Sequence, residues 1–319
     1  MNVRSYTIAG ILLAALSSNV FAQSSNVPSN EEPVKSKSLV SVFFQRLEIR
    51  QSFGSAGARK APAVFQLTIP KNEDASYLID AALGLPLIDV PIGKAVNMEG
   101  KIIGEYHRNT LIDDEQHTWQ TGFSSTIRTK IKRNSSNTTY TQFYFTPTIK
   151  YSRNLIDTAN ALIFSMDFIP FRSGEKGLNL NTYTIRGSRN LVHLLSLMPG
   201  FEFQNNFSAK SDQNNGTILR PLFKAQYLLA GNKKRIPEIA MISPEKTWEA
   251  SIDYTIRYAV INSTLTDEKF SNLLKTGVDY YFLTSPVSLS FGFSFNYGSD
   301  PMQGLKKQHF YLATLSLQK

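Results

Sequence analysis

From Ser38 onward, apolar residues recur at every second position in segment after segment, and this period of two narrows the fold more than any other feature of the chain. Side chains of a β-strand alternate between its two faces, so each such segment has one apolar and one polar face. Val287 to Gly298 is the clearest case. Val287, Leu289, Phe291, Phe293, Phe295 and Tyr297 share one face, and Ser288, Ser290, Gly292, Ser294, Asn296 and Gly298 share the other. Ser251 to Ile261 sets Ile252, Tyr254, Ile256, Tyr258 and Val260 against Ser251, Asp253, Thr255, Arg257 and Ala259. Trp119 to Lys132 sets Trp119, Phe123, Ile127 and Ile131 against Gln120, Ser124, Thr126, Arg128, Lys130 and Lys132.

A water-soluble β-sandwich would alternate too, but three features favour a barrel that crosses a membrane. The strand candidates often reach ten or more residues, as a tilted strand crossing a bilayer must, whereas soluble strands usually stop at about five or six. The apolar faces are rich in Phe and Tyr, with 21 Phe and 14 Tyr in the chain. The opposing faces carry Arg, Lys, Asp and Gln, which a dry sandwich core cannot hold unpaired. Outside residues 7–16 no apolar run approaches the roughly twenty residues a spanning helix needs, so a membrane-spanning form must be a closed barrel.

Residues 1–22 read as a cleaved export signal: Arg4 gives a positive start, TIAGILLAAL (7–16) a short apolar centre, and Val20-Phe21-Ala22 a small-residue cleavage pattern. Residues 23–37 (QSSNVPSNEEPVKSK) are polar, carry two prolines and read as a disordered periplasmic lead-in. Residues 38–319 are the barrel domain. There is no cysteine, which excludes a disulfide scaffold, a thiol nucleophile and Cys-based metal sites. An exported, cysteine-free chain fits a bacterial envelope better than a eukaryotic secretory route.

The pattern predicts an all-β antiparallel barrel of about fourteen strands: 41–53, 61–69, 77–85, 98–108, 119–131, 139–151, 159–169, 178–187, 198–208, 217–229, 247–261, 274–284, 286–297 and 308–317. A count of twelve stays open because residues 70–100 read two ways. With an even count both termini share one end, taken as periplasmic. Thr284-Ser285-Pro286 then falls at that end, and the polar connections 132–137, 209–216 and 298–307 fall outside. Trp119 and Trp248 both land at the periplasmic end, at the level of an interfacial aromatic belt. Residues 231–246 are long for a periplasmic turn and are expected to conceal a short helix or lumenal segment.

Together the signal, the alternating strands and the terminal segment HFYLATLSLQK (309–319) resemble Gram-negative outer-membrane β-barrel proteins of the porin-like kind. The chain closes on Leu317-Gln318-Lys319, where such barrels typically end in an aromatic residue. The resemblance implies an outer-membrane location. It also implies lipid and lipopolysaccharide as surroundings, the barrel-assembly machinery as a partner, and passive diffusion of small hydrophilic solutes as the activity.

The 34 Lys and Arg against 25 Asp and Glu leave a formal charge of +9. Arg46 and Arg50 share a face with Glu48, and Arg128, Lys130 and Lys132 form a row near a strand end. Arg46, Arg50, Arg128 and Lys130 are therefore the candidate pore-lining residues, and on that reading the bore leans towards anions. Arg186, Lys224 and Arg257 are weaker inward candidates. Two rival readings stand beside this: rim cations that bind lipopolysaccharide phosphates, and an interior neutralised by Glu48, Asp80, Glu105 and Asp253.

Catalysis has little support. No His-x-Ser pattern surrounds His107, His117 or His193, and Asp113-Asp114 beside His117 reads as a solvated turn. No metal-ligand spacing, cofactor motif or nucleic-acid-binding cluster stands out. The leading expectation is a channel. A surface-binding or structural barrel whose loops engage a polymer, phage or host comes second, and an outer-membrane hydrolase last. The solute and the oligomeric state are not legible.

Overall fold

The computed structural model describes residues 47–53, 63–68, 76–93, 96–110, 115–133, 139–156, 158–174, 179–186, 190–209, 214–232, 246–264, 269–284, 287–301 and 305–318. Twelve strands form the wall: β2 (Ala63–Thr68), β3 (Ser76–Ile92), β4 (Val96–Asn109), β5 (Gln116–Thr129), β7 (Thr139–Asn154), β8 (Ala159–Gly174), β10 (Leu191–Phe207), β11 (Gly216–Asn232), β12 (Lys246–Tyr258), β14 (Phe270–Leu283), β15 (Ser288–Asp300) and β16 (Leu305–Gln318). Each pairs antiparallel with the next, and β16 returns to β2 through Leu315↔Phe65, Ser316↔Val64 and Leu317↔Ala63. The sheet is thus a closed barrel without free edges. Four short strands supplement it: β1 (Glu48–Arg50) on β3, β6 (Lys132–Arg133) on β7, β9 (Tyr183–Arg186) on β10 and β13 (Ile261–Asn262) on β11. The described residues contain no α-helix.

The wall has twelve strands and not fourteen. The ambiguous stretch 70–100 is not where the two expected strands disappear, because it forms the long β3–β4 hairpin, turned at Gly93 with φ +64°. Of the expected strand 41–53, residues 41–46 lie outside the described residues, and the described part contains the three-residue β1. Among the described residues of the expected strand 178–187, only β9 is a strand. Asn181 interrupts that segment with φ +54°, a left-handed conformation in which a ladder cannot continue. β10 starts at Leu191, seven residues before the expected 198, and the nearly continuously apolar LVHLLSLM hid the alternation of that first half.

Losing two strands changes the sidedness of what lies between them. The connection after β5 lies at the barrel end that holds the start of β2 and the close of β16, together with the link 284–287. It therefore does not share an end with residues 208–215. Trp119, at the start of β5, and Trp248, near the start of β12, sit at opposite ends. The interior of the connection 231–246 lies outside the described residues.

Burial is inverted relative to a water-soluble protein. Large apolar side chains crowd the outward face, among them Ile102, Tyr106, Phe223, Tyr227, Ile252, Val278, Phe291 and Phe293 (65% exposed). The buried, inward face carries Lys101, Glu105, His107, Lys150, Asp167, Glu202, Lys224 and Arg257. Since side chains along a strand alternate, each strand contributes one row to each face.

Candidate functional site: the charged barrel interior

The bore is lined by ion pairs, most of them between residues distant in the chain that the sheet brings together from strands two places apart. One cluster spans β1, β3, β4, β5 and β7. Lys150 Nζ lies 2.9 Å from Glu105 Oε1 and donates to Gln120 Oε1 at 3.0 Å. His107 stands between two carboxylates, with Nε2 3.2 Å from Glu105 Oε2 and Nδ1 against Asp80. Lys101 Nζ meets Glu48 Oε1 at 2.8 Å. A second cluster spans β8, β10, β11, β12 and β15. Lys224 Nζ holds both oxygens of Asp167, at 3.0 and 2.9 Å. Arg257 Nε holds both oxygens of Glu202, at 3.1 and 3.0 Å, and its Nη2 lies 3.2 Å from Asp300 Oδ1.

These groups cost several kcal/mol each to bury alone, so the pairing is what lets a charged barrel interior exist. It also removes much of the net field that isolated cations would impose on a passing ion. Glu48, Asp80 and Glu105 do neutralise interior cations.

The four candidate lining residues have separate fates. Arg50 is buried on the inward side of β1, its guanidinium 3.6 Å from the centre of the Phe53 ring. Arg128 pairs with Glu99 towards the end of β5, 5.9 Å from the Tyr144 ring. Lys130 is exposed just beyond β5. Arg46 lies outside the described residues. The expected row of Arg128, Lys130 and Lys132 is broken, because the pairing slips by one residue between Arg128↔Tyr144 and Lys132↔Thr141. A one-residue slip moves a side chain to the other face, so Lys132 shares the outward face with Thr141. Of the weaker candidates, Lys224 and Arg257 face inward, while the side chain of Arg186 lies outside the described set.

Lys101, His107, Lys150, Asp167, Glu202 and Asp300 escaped sequence reasoning as a lining set. Their signal was present, since each occupies the polar phase of an alternating strand, as in Thr146-x-Thr148-x-Lys150-x-Ser152. What was missing was the partner. His107 has a carboxylate on each ring nitrogen, and the hydroxyl of Ser52 donates to Glu105 rather than to the imidazole. The outward-facing His117 packs edge-on against Tyr106, with ring centroids 5.9 Å apart. Asp113 and Asp114 lie outside the described residues.

No protein-family model matches the chain, no curated protein is measurably similar to it, and no solved structure matches it.

Proposed function

We propose that the protein is an outer-membrane channel through which small hydrophilic solutes diffuse passively. One observation carries the reading: a closed barrel whose outer face is apolar and aromatic and whose inner face is charged. Exposing Phe293, Val278 and Tyr311 to water is unfavourable by roughly 25 cal/mol per Å² of apolar surface, and a bilayer removes that cost. A row of charged and amide side chains inside is what a water-filled path requires. Because Lys101, Lys150, Lys224 and Arg257 each meet a carboxylate, the leaning towards anions is modest and resides at one mouth, at the exposed Lys130 and the neighbouring Arg128, which Glu99 partly offsets.

The test is the conductance of the refolded protein in a planar bilayer with a salt gradient. Ohmic steps with a weak anion preference are expected. The double variant R128E/K130E is expected to move the reversal potential towards cation preference. A correctly folded barrel that is electrically silent in every form would overturn the channel reading.

A further inference from the structure

The first wall position is built from two pieces of chain with an insertion between them. β1 pairs with β3 through Arg50↔Ala82, and β2 pairs with the same strand through Val64↔Asp80. An unbroken strand would set residue 52 opposite Asp80; Val64 stands there, so twelve residues are inserted. The first three residues after β1 turn into the bore and bind its charged lining. Gln51 Nε2 donates to Asp80, Ser52 Oγ donates to Glu105 Oε2 at 2.9 Å, and the Phe53 N–H donates to Glu105 Oε1 at 2.8 Å.

The wall carries a seat for the Phe53 ring. Among the charged residues of β3 and β4, Ala82 and Ile103 form an apolar patch with Phe53, and all three are buried. Gly84 completes it: a Cβ there would stand 2.3 Å from the ring. Arg50 lies over the ring and Lys101 Nζ is 5.6 Å from its centre. An aqueous bore has no reason to carry Ile103 and a bare glycine side by side, and the bound ring explains both.

From this geometry we infer that Gln51-Ser52-Phe53 is a latch that narrows the bore, held by Asp80 and Glu105 and seated on Ala82, Gly84 and Ile103. The inference rests on the channel reading and adds a gate to it. Its hold, polar through Asp80 and Glu105 and apolar through the ring seat, is local, so release needs no rearrangement of the twelve wall strands. The released state is the one of higher conductance.

The experiment compares unit conductance for the full-length wild type, for Phe53→Ala, for Ser52→Ala, and for a deletion of residues 52–63 that restores continuous register between β1 and β2. Folding is checked for each by heat-modifiable gel mobility. Phe53→Ala and the deletion are expected to raise unit conductance at least twofold, with Ser52→Ala between them and the wild type. Equal conductance in the wild type and Phe53→Ala overturns the latch while leaving the channel reading intact. Silence of every folded form overturns the channel reading, and the latch with it. Should the deletion variant not fold, the point variants decide the matter by the same criterion.

Discussion

At the scale of single residues, the most deeply buried carboxylate of the first cluster is satisfied several times over. Glu105 receives Lys150, His107, the hydroxyl of Ser52 and the N–H of Phe53. Removing it strands a buried ammonium, and breaking such a pair costs about 3 kcal/mol or more. Glu105→Ala is therefore expected to lower the urea midpoint of the detergent-folded barrel by an amount matching about 3 kcal/mol. Glu115 is the contrast: its carboxylate is half exposed and lies 3.4 Å from Arg108. A solvated pair of that kind is worth about 0–1 kcal/mol, so Glu115→Ala should leave the midpoint nearly unmoved. Equal losses for both variants would show that interior pairing does not carry the stability. Which face Glu105 occupies was legible from the alternation of β4. That it answers Lys150, 45 residues away in the other phase of another strand, was not, because no local pattern encodes a partner across two strands.

At the scale of elements, the barrel is unevenly joined. β10 and β11 pair continuously from Leu191↔Gly231 to Asn206↔Gly216, and β7 and β8 from Thr139↔Gly174 to Asn154↔Ala159. Among the described residues, the closing seam between β16 and β2 has three pairs. Opening free energies follow local pairing and packing. The amides of Ala63, Phe65, Leu315 and Leu317 should thus exchange with deuterium well before those in the middle of β10 and β11. Val64 and Ser316 are directly opposed, at the roughly 4.5–5.5 Å that suits a cross-strand bridge. In this cysteine-free chain, Val64→Cys with Ser316→Cys should form a single disulfide and raise stability by about 2–4 kcal/mol under oxidising conditions. No gain over the reduced form would mean that the seam is not the point of opening. The sequence showed all twelve wall strands, with β3 and β10 cut short at one end, and exposed β1 and β9 only as full-length strands. Period two reports extended conformation and cannot tell a wall strand from a three- or four-residue strand leading into a turn.

At the scale of the molecule, the outward belt is what separates a membrane barrel from a soluble one. Phe293 lies mid-strand in β15 and faces out, while Phe270 is the outward-facing first residue of β14. In a bilayer the cost of arginine depends on depth, about 2–4 kcal/mol at the midplane and about 0–1 kcal/mol near the interface. Phe293→Arg should weaken folding into phospholipid vesicles by about 2–4 kcal/mol and Phe270→Arg by less than about 1 kcal/mol. A protein that tolerates both equally would have no lipid at its midline, and the membrane reading would fall.

The sequence by itself determined that the chain is all-β and that each strand has an apolar and a charged face. Both are consequences of side-chain alternation, which acts within a few neighbouring residues. Tertiary structure alone decided the number of strands in the wall, the end at which each connection lies, and the partner of each buried charge. It also turned residues 51–53 into the bore. All of these depend on how strands distant in the chain come together, as where Leu317 meets Ala63 to close the sheet and Val64 takes the place that residue 52 would have filled. Closure is a condition on the whole circuit of strands, and a pattern with a period of two residues carries no record of it.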